Sequence, residues 1–374
     1  MTGKRASLVI RLLLGIAIVG VVLYAVEWRD RWSKPGSKEV AGTILAGEIP
    51  EDGDVSFLVV DGTEITVPAS QVRPGLLRLL SRARWRLFLI AAIPLLITYT
   101  VNAYRWLLLS HALSLSLDFG RALRLSFIGL FFNNVVPGAT GGDLVRAYYV
   151  ARSEVQRTES VVAVLMDRIV GLTAMAFQAG VVALFFWPRT ELRSLNVGIL
   201  SLVAGILIGA AIFYSKRGRR LLRLDRIGRR LPLQRIIEEV DGAFFAFRYR
   251  KKTVAAAFLL SFLSQGFFIF SQYVVGRSLG VRCHLSTYLL VIPMASIVSS
   301  VPLLPGGWGL GDAAYVYLFG LTGLAKAPAL AIGILYRLLT MGLSLIGALL
   351  LMLGVEGRVP SHDASRLDSP AADL

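Results

Sequence analysis

Six stretches of this chain stay apolar for as long as a membrane is thick, and two further apolar stretches break off into loops of proline and glycine. The long runs lie at about Leu8–Val26, Leu87–Leu109, Val161–Trp187, Val197–Tyr214, Val254–Val275 and Ala329–Leu353. Each approaches or exceeds the roughly 20 residues that a spanning helix needs. With 55% hydrophobic residues and a mean hydropathy of +0.65, the chain reads as an all-α polytopic membrane protein. About 6–8 transmembrane helices are expected. Soluble cores do not hold this many long apolar runs.

The interrupted stretches are Leu125–Val136 and Leu285–Leu304, the second continuing into Ala313–Leu321. The first ends in Asn133-Asn134-Val135-Val136-Pro137-Gly138-Ala139-Thr140-Gly141-Gly142-Asp143-Leu144-Val145-Arg146, the second in Pro302-Leu303-Leu304-Pro305-Gly306-Gly307-Trp308-Gly309-Leu310-Gly311-Asp312. Lipid cannot satisfy free backbone N–H and C=O groups, so irregular backbone at membrane depth must pack in protein or line a polar cavity. Both stretches are therefore expected to be re-entrant. A matching pair of broken segments in two halves points to a transport site and to an inverted repeat.

Charge placement sets the expected orientation. The formal net charge is +16. Much of the excess sits in one loop, 216–252, with Lys216, Arg217, Arg219, Arg220 and Arg223 at its start. Positive residues near span ends mark the cytoplasmic side, and such a loop also attracts anionic inner-leaflet lipid. The N-terminus is then inside a cytoplasmic (inner) membrane. Lys4, Arg5 and Arg11 could head a secretory signal peptide, but the apolar run is long for one and lacks a small-x-small cleavage site. Residues 1–26 are read as a retained first helix. No folded basic module for nucleic acid is visible.

Residues 27–73 are not membrane-like. Val40–Leu45, Val55–Val60 and Glu64–Val67 enrich β-formers, and Asp61-Gly62 between the last two is a hairpin signal. A small extracytoplasmic β-module is expected there, too small to be stable without support. Residues 74–86 alternate leucines with Arg78, Arg82, Arg84 and Arg86, the pattern of an amphipathic interfacial helix. Those arginines would lie outside, against the orientation that the basic loop favours. A helical membrane domain fills 87–353, and Tyr104-Arg105-Trp106 reads as an interfacial anchor. A polar tail, 354–374, is expected to be disordered.

One cysteine, Cys283, excludes an intrachain disulfide, and His111, His284 and His362 are too scattered for a metal site. No metal or cofactor is expected, and no dinucleotide, P-loop or nucleophile-elbow signature appears. Chemistry would rest on a few ionisable residues in apolar surroundings, which are costly there unless paired. Asp143 and Arg146 share a helix face, as an ion pair or as a headgroup site. Asp167 and Arg168 do not share a face, so each needs a partner on another element. Arg168 and Arg337 could pair with Asp143 or Asp312, or bind phosphate through their guanidinium forks. Gly138, Gly141, Gly142, Gly306, Gly307 and Gly309 allow close backbone approach, and a loop feeding a helix N-terminus can form an anion site. Asn133, Asn134, Gln178 and Gln265 add uncharged polar groups at depth.

The run Leu130-Phe131-Phe132-Asn133…Pro137-Gly138…Gly141-Gly142-Asp143-Leu144-Val145-Arg146-Ala147-Tyr148 resembles the hallmark of the lysylphosphatidylglycerol synthase transmembrane-region family, the flippase-like membrane proteins. Asp167-Arg168…Gly171, Pro305-Gly306-Gly307…Gly309 and Tyr336-Arg337 resemble its later motifs. Gly311-Asp312 stands where the family usually has an Arg-Glu pair, and residues 27–73 look like an insertion. Nothing after Leu353 could fold into the soluble aminoacyl-transferase domain of the bifunctional members. The resemblance therefore implies translocation of a phospholipid or lipid-linked substrate, not an enzyme. Arg146, Arg168 and Arg337 would meet a headgroup phosphate, with Asp143 and Asp312 holding them. The alternative is a membrane scaffold that recruits a cell-envelope enzyme through its β-module.

Overall fold

The computed structural model describes residues 28–32, 40–45, 54–135, 141–153, 157–185, 249–299 and 309–354, with Phe247 and isolated residues between 193 and 208. The first apolar run, most of Val197–Tyr214 and of the basic loop, and the polar tail beyond Gly354 lie outside the described residues.

Alternating apolar residues near the N-terminus make a five-stranded antiparallel sheet of order β4-β3-β2-β1-β5. Its strands are β1 (Asp30–Trp32), β2 (Val40–Ile44), β3 (Asp54–Val59), β4 (Glu64–Pro68) and β5 (Val72–Arg73). One face is closed by Ile44, Val55, Phe57 and Val67, all buried. The hairpin forms at Asp61-Gly62 as the sequence signals. Gly62 takes φ 91°, and the Thr63 N–H donates to the Asp61 carboxylate at 2.9 Å, which holds that acid below its ordinary pKa. The short flanking strands β1 and β5 carry too few residues for an alternation to show.

Asp30 anchors this sheet. Its carboxylate is 4% exposed and accepts from the Ile44 N–H at 2.9 Å, the Gly75 N–H at 2.8 Å and Arg78 Nε at 2.6 Å. Those bonds join β1, β2 and helix α1 (Leu76–Ser81). Removing one partner of a buried ion pair costs about 3–5 kcal/mol. Asp30→Ala should therefore loosen the sheet, so that limited proteolysis cuts within 28–73 while the helical body resists.

Residues 74–86 do not make one surface helix. They form α1 and lead, through a turn at Arg82–Arg84, into α2 (Trp85–Ile90). Leu76 and Leu79 are buried in the main protein core with Tyr288 and Leu330, so protein covers this apolar face. The arginines Arg82, Arg84 and Arg86 stay exposed. After Ala91 comes α3 (Ala92–Ala112), and α2 with α3 makes one 28-residue apolar rod. The break at Ala91 has a cause in Pro94, which has no N–H to give the Ile90 carbonyl.

Two helical series follow the same plan. The first is α2–α3, then α4 (Phe119–Val135, 17 residues), α5 (Gly141–Ser153, 13 residues) and α6 (Arg157–Phe185, 29 residues). The second is α7 (Lys251–Ser278, 28 residues), α8 (Leu285–Ser299, 15 residues), α9 (Leu310–Leu321, 12 residues) and α10 (Lys326–Met352, 27 residues). The four candidate spans are Trp85–Ala112, Thr158–Phe185, Lys251–Ser278 and Lys326–Met352. Helices α4, α5, α8 and α9 rise only about 18–26 Å at 1.5 Å per residue, short of the roughly 30 Å hydrocarbon core.

The correspondence reaches single bonds. Helix α3 ends with Leu113 and Leu115 N–H on the Ser110 carbonyl and Ser114 N–H on His111, with Ser114 at φ 62°. Helix α7 ends with Leu279 and Val281 N–H on the Gly276 carbonyl and Gly280 N–H on Arg277, with Gly280 at φ 75°. The rods α3 and α7 cross where Thr98 Oγ1 donates to the Ser264 carbonyl at 3.2 Å, two residues equally far from their helix ends. The halves are also interlocked, since α4 packs on α10 and α8 packs on α6.

Candidate functional site

The charged residues gather where the short helices meet the long ones. Helix α5 lies hard against α4: a Cβ at Gly142 would collide with the Gly129 backbone. Asn133, near the end of α4, accepts the Gly142 N–H at 2.8 Å and so caps α5. That approach sets Asp143 in the first turn of α5, with Arg146 one turn on. Gly142→Leu should misplace both, lowering the thermal midpoint by an amount matching the about 1–3 kcal/mol of a forced overpacking.

Asp143 accepts from Arg168 Nε on α6. The neighbouring Asp167 turns the other way on α6 and meets α3. Arg105 Nε donates to it at 2.7 Å, and Arg105 Nη1 reaches Ser261 Oγ at 2.8 Å. Arg105 and Asp167 are 7% and 4% exposed. Tyr104-Arg105-Trp106 is thus no interfacial anchor: Trp106 is fully buried and Arg105 is paired in the interior. In the second half, Arg337 on α10 donates to Asp312 in the first turn of α9, and both are buried. The two acid–arginine pairs match in sequence spacing, each being 25 residues apart.

Arg146 differs from the other three arginines. Its Nη1 is 3.6 Å from Asp143 and 3.7 Å from Asp167, too long for good hydrogen bonds. Its Cζ lies 4.1 Å above the Trp106 ring, a cation–π contact. Its Nε and Nη2 are buried without a hydrogen-bond partner among the described residues.

Two cavities of about 250 and 280 Å³ adjoin here, and both are lined by Tyr99, Leu130, Asn133 and Arg168. Arg105, Asp143, Arg146 and Asp167 line the first, and Arg337 lines the second. Among the described residues, four arginines face three aspartates in these ion pairs. The residues 136–140 and 300–308 that complete the two loops carry no ionisable side chain. No group of acids, histidines or cysteine able to hold a metal occurs among the described residues.

One expectation is corrected. The amides of Gly142 and Gly309 are not open to an anion, because Asn133 takes the first and Asp312 Oδ2 takes the second at 3.0 Å. Gly309 does need its φ of 80° to deliver that amide. Gly141 begins α5 and is buried, and Gly138, Gly306 and Gly307 lie outside the described residues. Asn134 turns back on its own helix, donating to the Leu130 carbonyl at 3.0 Å.

A lone arginine inside an apolar rod, paired to an acid on another helix beside a polar cavity, is thus repeated in α3 and α10. The sequence profile described as the lysylphosphatidylglycerol synthase TM region matches residues 74–347, which span the cavity and both helical series. The chain belongs to that family. A UPF0104 membrane protein of Pyrococcus horikoshii is 28% identical over 300 residues, covering 74% of this chain and 89% of its own length. A UPF0104 membrane protein of Methanothermobacter thermautotrophicus is 23% identical over 263 residues, covering 63% of this chain and 75% of its own. One from Methanocaldococcus jannaschii is 22% identical over 291 residues, covering 72% and 85%. No solved structure matches the chain. The family match begins at residue 74, so the β-sheet lies outside it.

Sequence reasoning missed Arg105 as a cavity residue. The signal was present: Arg105 is the only charged residue in Leu87–Leu109, as Arg337 is in Ala329–Leu353. Trp106 under Arg146, and Asn133 as the cap of α5, needed the packing of α3, α4 and α5.

Proposed function

We propose that this flippase-like protein moves a lipid with an anionic headgroup between the two leaflets of its membrane, through the cavity lined by Arg146, Arg168 and Arg337. The observation that carries this reading is Arg146: a buried cation whose guanidinium is not satisfied by the protein around it, facing a polar space in an apolar helical body. A charge left at membrane depth is costly, and a headgroup phosphate supplies the missing acceptors in a geometry that suits a guanidinium fork. Arg168 and Arg337, held by Asp143 and Asp312, become further phosphate ligands when those pairs open.

The short helices support a re-entrant reading of α4–α5 and α8–α9, and the twin series supports a duplicated unit. In an inverted arrangement the two broken loops approach the same depth from opposite faces. The N-terminus is then cytoplasmic, with the basic loop 216–252 on the same side and the sheet outside. Transport rather than bond chemistry is the proposed activity.

The test is flip of a fluorescent anionic phospholipid in liposomes containing the purified protein, wild type against Asp143→Asn. That substitution keeps the shape of the pair and removes its charge. At least tenfold slower flip is the expected result, from a variant that still folds though with a lowered thermal midpoint. Wild-type liposomes no faster than protein-free ones, with anionic, zwitterionic and polyprenyl lipids alike, would discard translocation. The β-module and its binding partners would then carry the function.

A further inference from the structure

Two amides line the first cavity without a hydrogen-bond partner at their oxygens. Asn102 lies on α3 one turn past Thr98, and Gln265 lies on α7 beside Ser264. Both therefore adjoin the point where the two rods cross. They come from different halves and face the same space of about 250 Å³. The usual use of an amide at membrane depth is a hydrogen bond between helices. Neither oxygen makes one: Asn102 Oδ1 and Gln265 Oε1 are buried and unmatched among the described residues. Such a group is costly in an apolar body.

The unmet groups of this cavity are thus of two kinds. Arg146 Nε and Nη2 are donors, which phosphate oxygens satisfy. The amide oxygens are acceptors, and a phosphodiester has no hydrogen to give them. A quaternary ammonium has none either. A primary ammonium has three, but Arg105, Arg146 and Arg168 line the same cavity and repel it. The carboxylates of Asp143 and Asp167 already accept from Arg168 and Arg105. A hydroxyl remains. It both donates and accepts, so it matches either end of an amide, whichever way the group is turned. The volume limits what carries it. The cavity is smaller than the roughly 300–1,000 Å³ of pockets for drug-sized ligands, which suits a short polyol and not a chain of sugars.

We propose that Asn102 and Gln265 select a phospholipid whose phosphate carries a short hydroxylated alcohol, with hydroxyls on the two amides and the phosphate on Arg146. This takes the central cavity to be the headgroup site of the proposed transport. The headgroup then bridges α3 and α7 where the halves cross.

The test is native mass spectrometry of the full chain in detergent, titrated with phosphatidylinositol, phosphatidylglycerol, phosphatidylethanol or phosphatidylethanolamine. The first three carry the same single negative charge and differ in headgroup hydroxyls. Two net hydrogen bonds correspond to about tenfold or more in affinity, so the hydroxylated pair should bind that much more tightly than phosphatidylethanol. In Asn102→Leu/Gln265→Met the preference should fall to near parity, and each single variant should lose part of it. These variants should melt no lower than wild type, because each removes an unmatched polar group. Equally tight phosphatidylethanol or phosphatidylethanolamine, or an unaltered preference in the variants, would overturn the proposal. So would displacement by millimolar glycerol 3-phosphate or inositol, which would mark a site for a soluble polyol. Flip of the same lipids in liposomes separates the two readings. Hydroxyl-selective binding without flip would keep this site and discard transport, whereas flip without selectivity would do the reverse.

Discussion

Arg146→Ala should abolish lipid flip and leave the protein as stable as before, or more so. The two halves of that result have one cause. Arg105 is paired with Asp167 and Arg168 with Asp143, so removing Arg146 leaves no acid unneutralised. What disappears is a buried cation with unsatisfied Nε and Nη2 groups, whose desolvation weighs against the folded state. Each charge-assisted bond it gives a phosphate oxygen contributes about 1.5–3 kcal/mol. Losing two such bonds corresponds to at least a hundredfold slower flip. Arg146→Lys should recover only part, because lysine keeps the charge and loses both the fork and the stacking on Trp106. The measurements are liposome flip rates and thermal midpoints of the same preparations. Loss of flip together with loss of fold would reassign Arg146 to a structural role, and undiminished flip would remove it from the path.

Arg105→Ala should behave in the opposite way, with a large loss of stability. It leaves Asp167 buried with Arg146 Nη1, at 3.7 Å, as its remaining cation among the described residues, and breaking a buried pair from one side costs about 3–5 kcal/mol. The guanidinium also fills space against Gly171, so the alanine leaves a cavity. Asp167→Asn should cost less, since the amide oxygen still accepts from Arg105. The double variant Arg105→Leu/Asp167→Leu should regain most of the loss, because it removes both charges and fills the volume. Thermal midpoints of Arg105→Leu, Asp167→Leu and the double variant in one detergent form the cycle. A double variant as unstable as the sum of its singles would show that the pair matters for shape and not for charge.

The class of the molecule was plain from its sequence, because apolar runs of this length and number suit a bilayer and little else. Val40–Leu45, Val55–Val60 and Glu64–Val67 were legible as strands, within a residue of β2, β3 and β4, since alternation and an Asp-Gly turn are local signals. The acids and arginines of the cavity were legible for the same reason that they are expensive: Asp143, Asp167, Arg168, Asp312 and Arg337 stand out against apolar neighbours. Which of them pair was not legible, because both Asp143–Arg168 and Asp312–Arg337 join separate helices. Arg105 was misplaced because an arginine beside a tyrosine and a tryptophan has the composition of an interfacial anchor. Only the contact of α3 with α6 shows that it points inward. Leu76 and Leu79 misled in the same manner, since an amphipathic pattern does not say whether lipid or protein covers the apolar face.

The interlocking of the halves has a consequence for how the chain is made. Helix α4 rests on α10, and α8 on α6, so neither half can bury its inner face while it is alone in the bilayer. At roughly 5–20 residues per second of synthesis, α10 follows α4 by on the order of ten seconds or more. During that wait the first half holds Asp143, Arg146, Asp167, Arg168 and Arg105 in the membrane. Their pairings are internal to that half, as Asp312 with Arg337 is internal to the second. Each half therefore neutralises its acids before its partner arrives. The newborn chain waits for shape and not for charge.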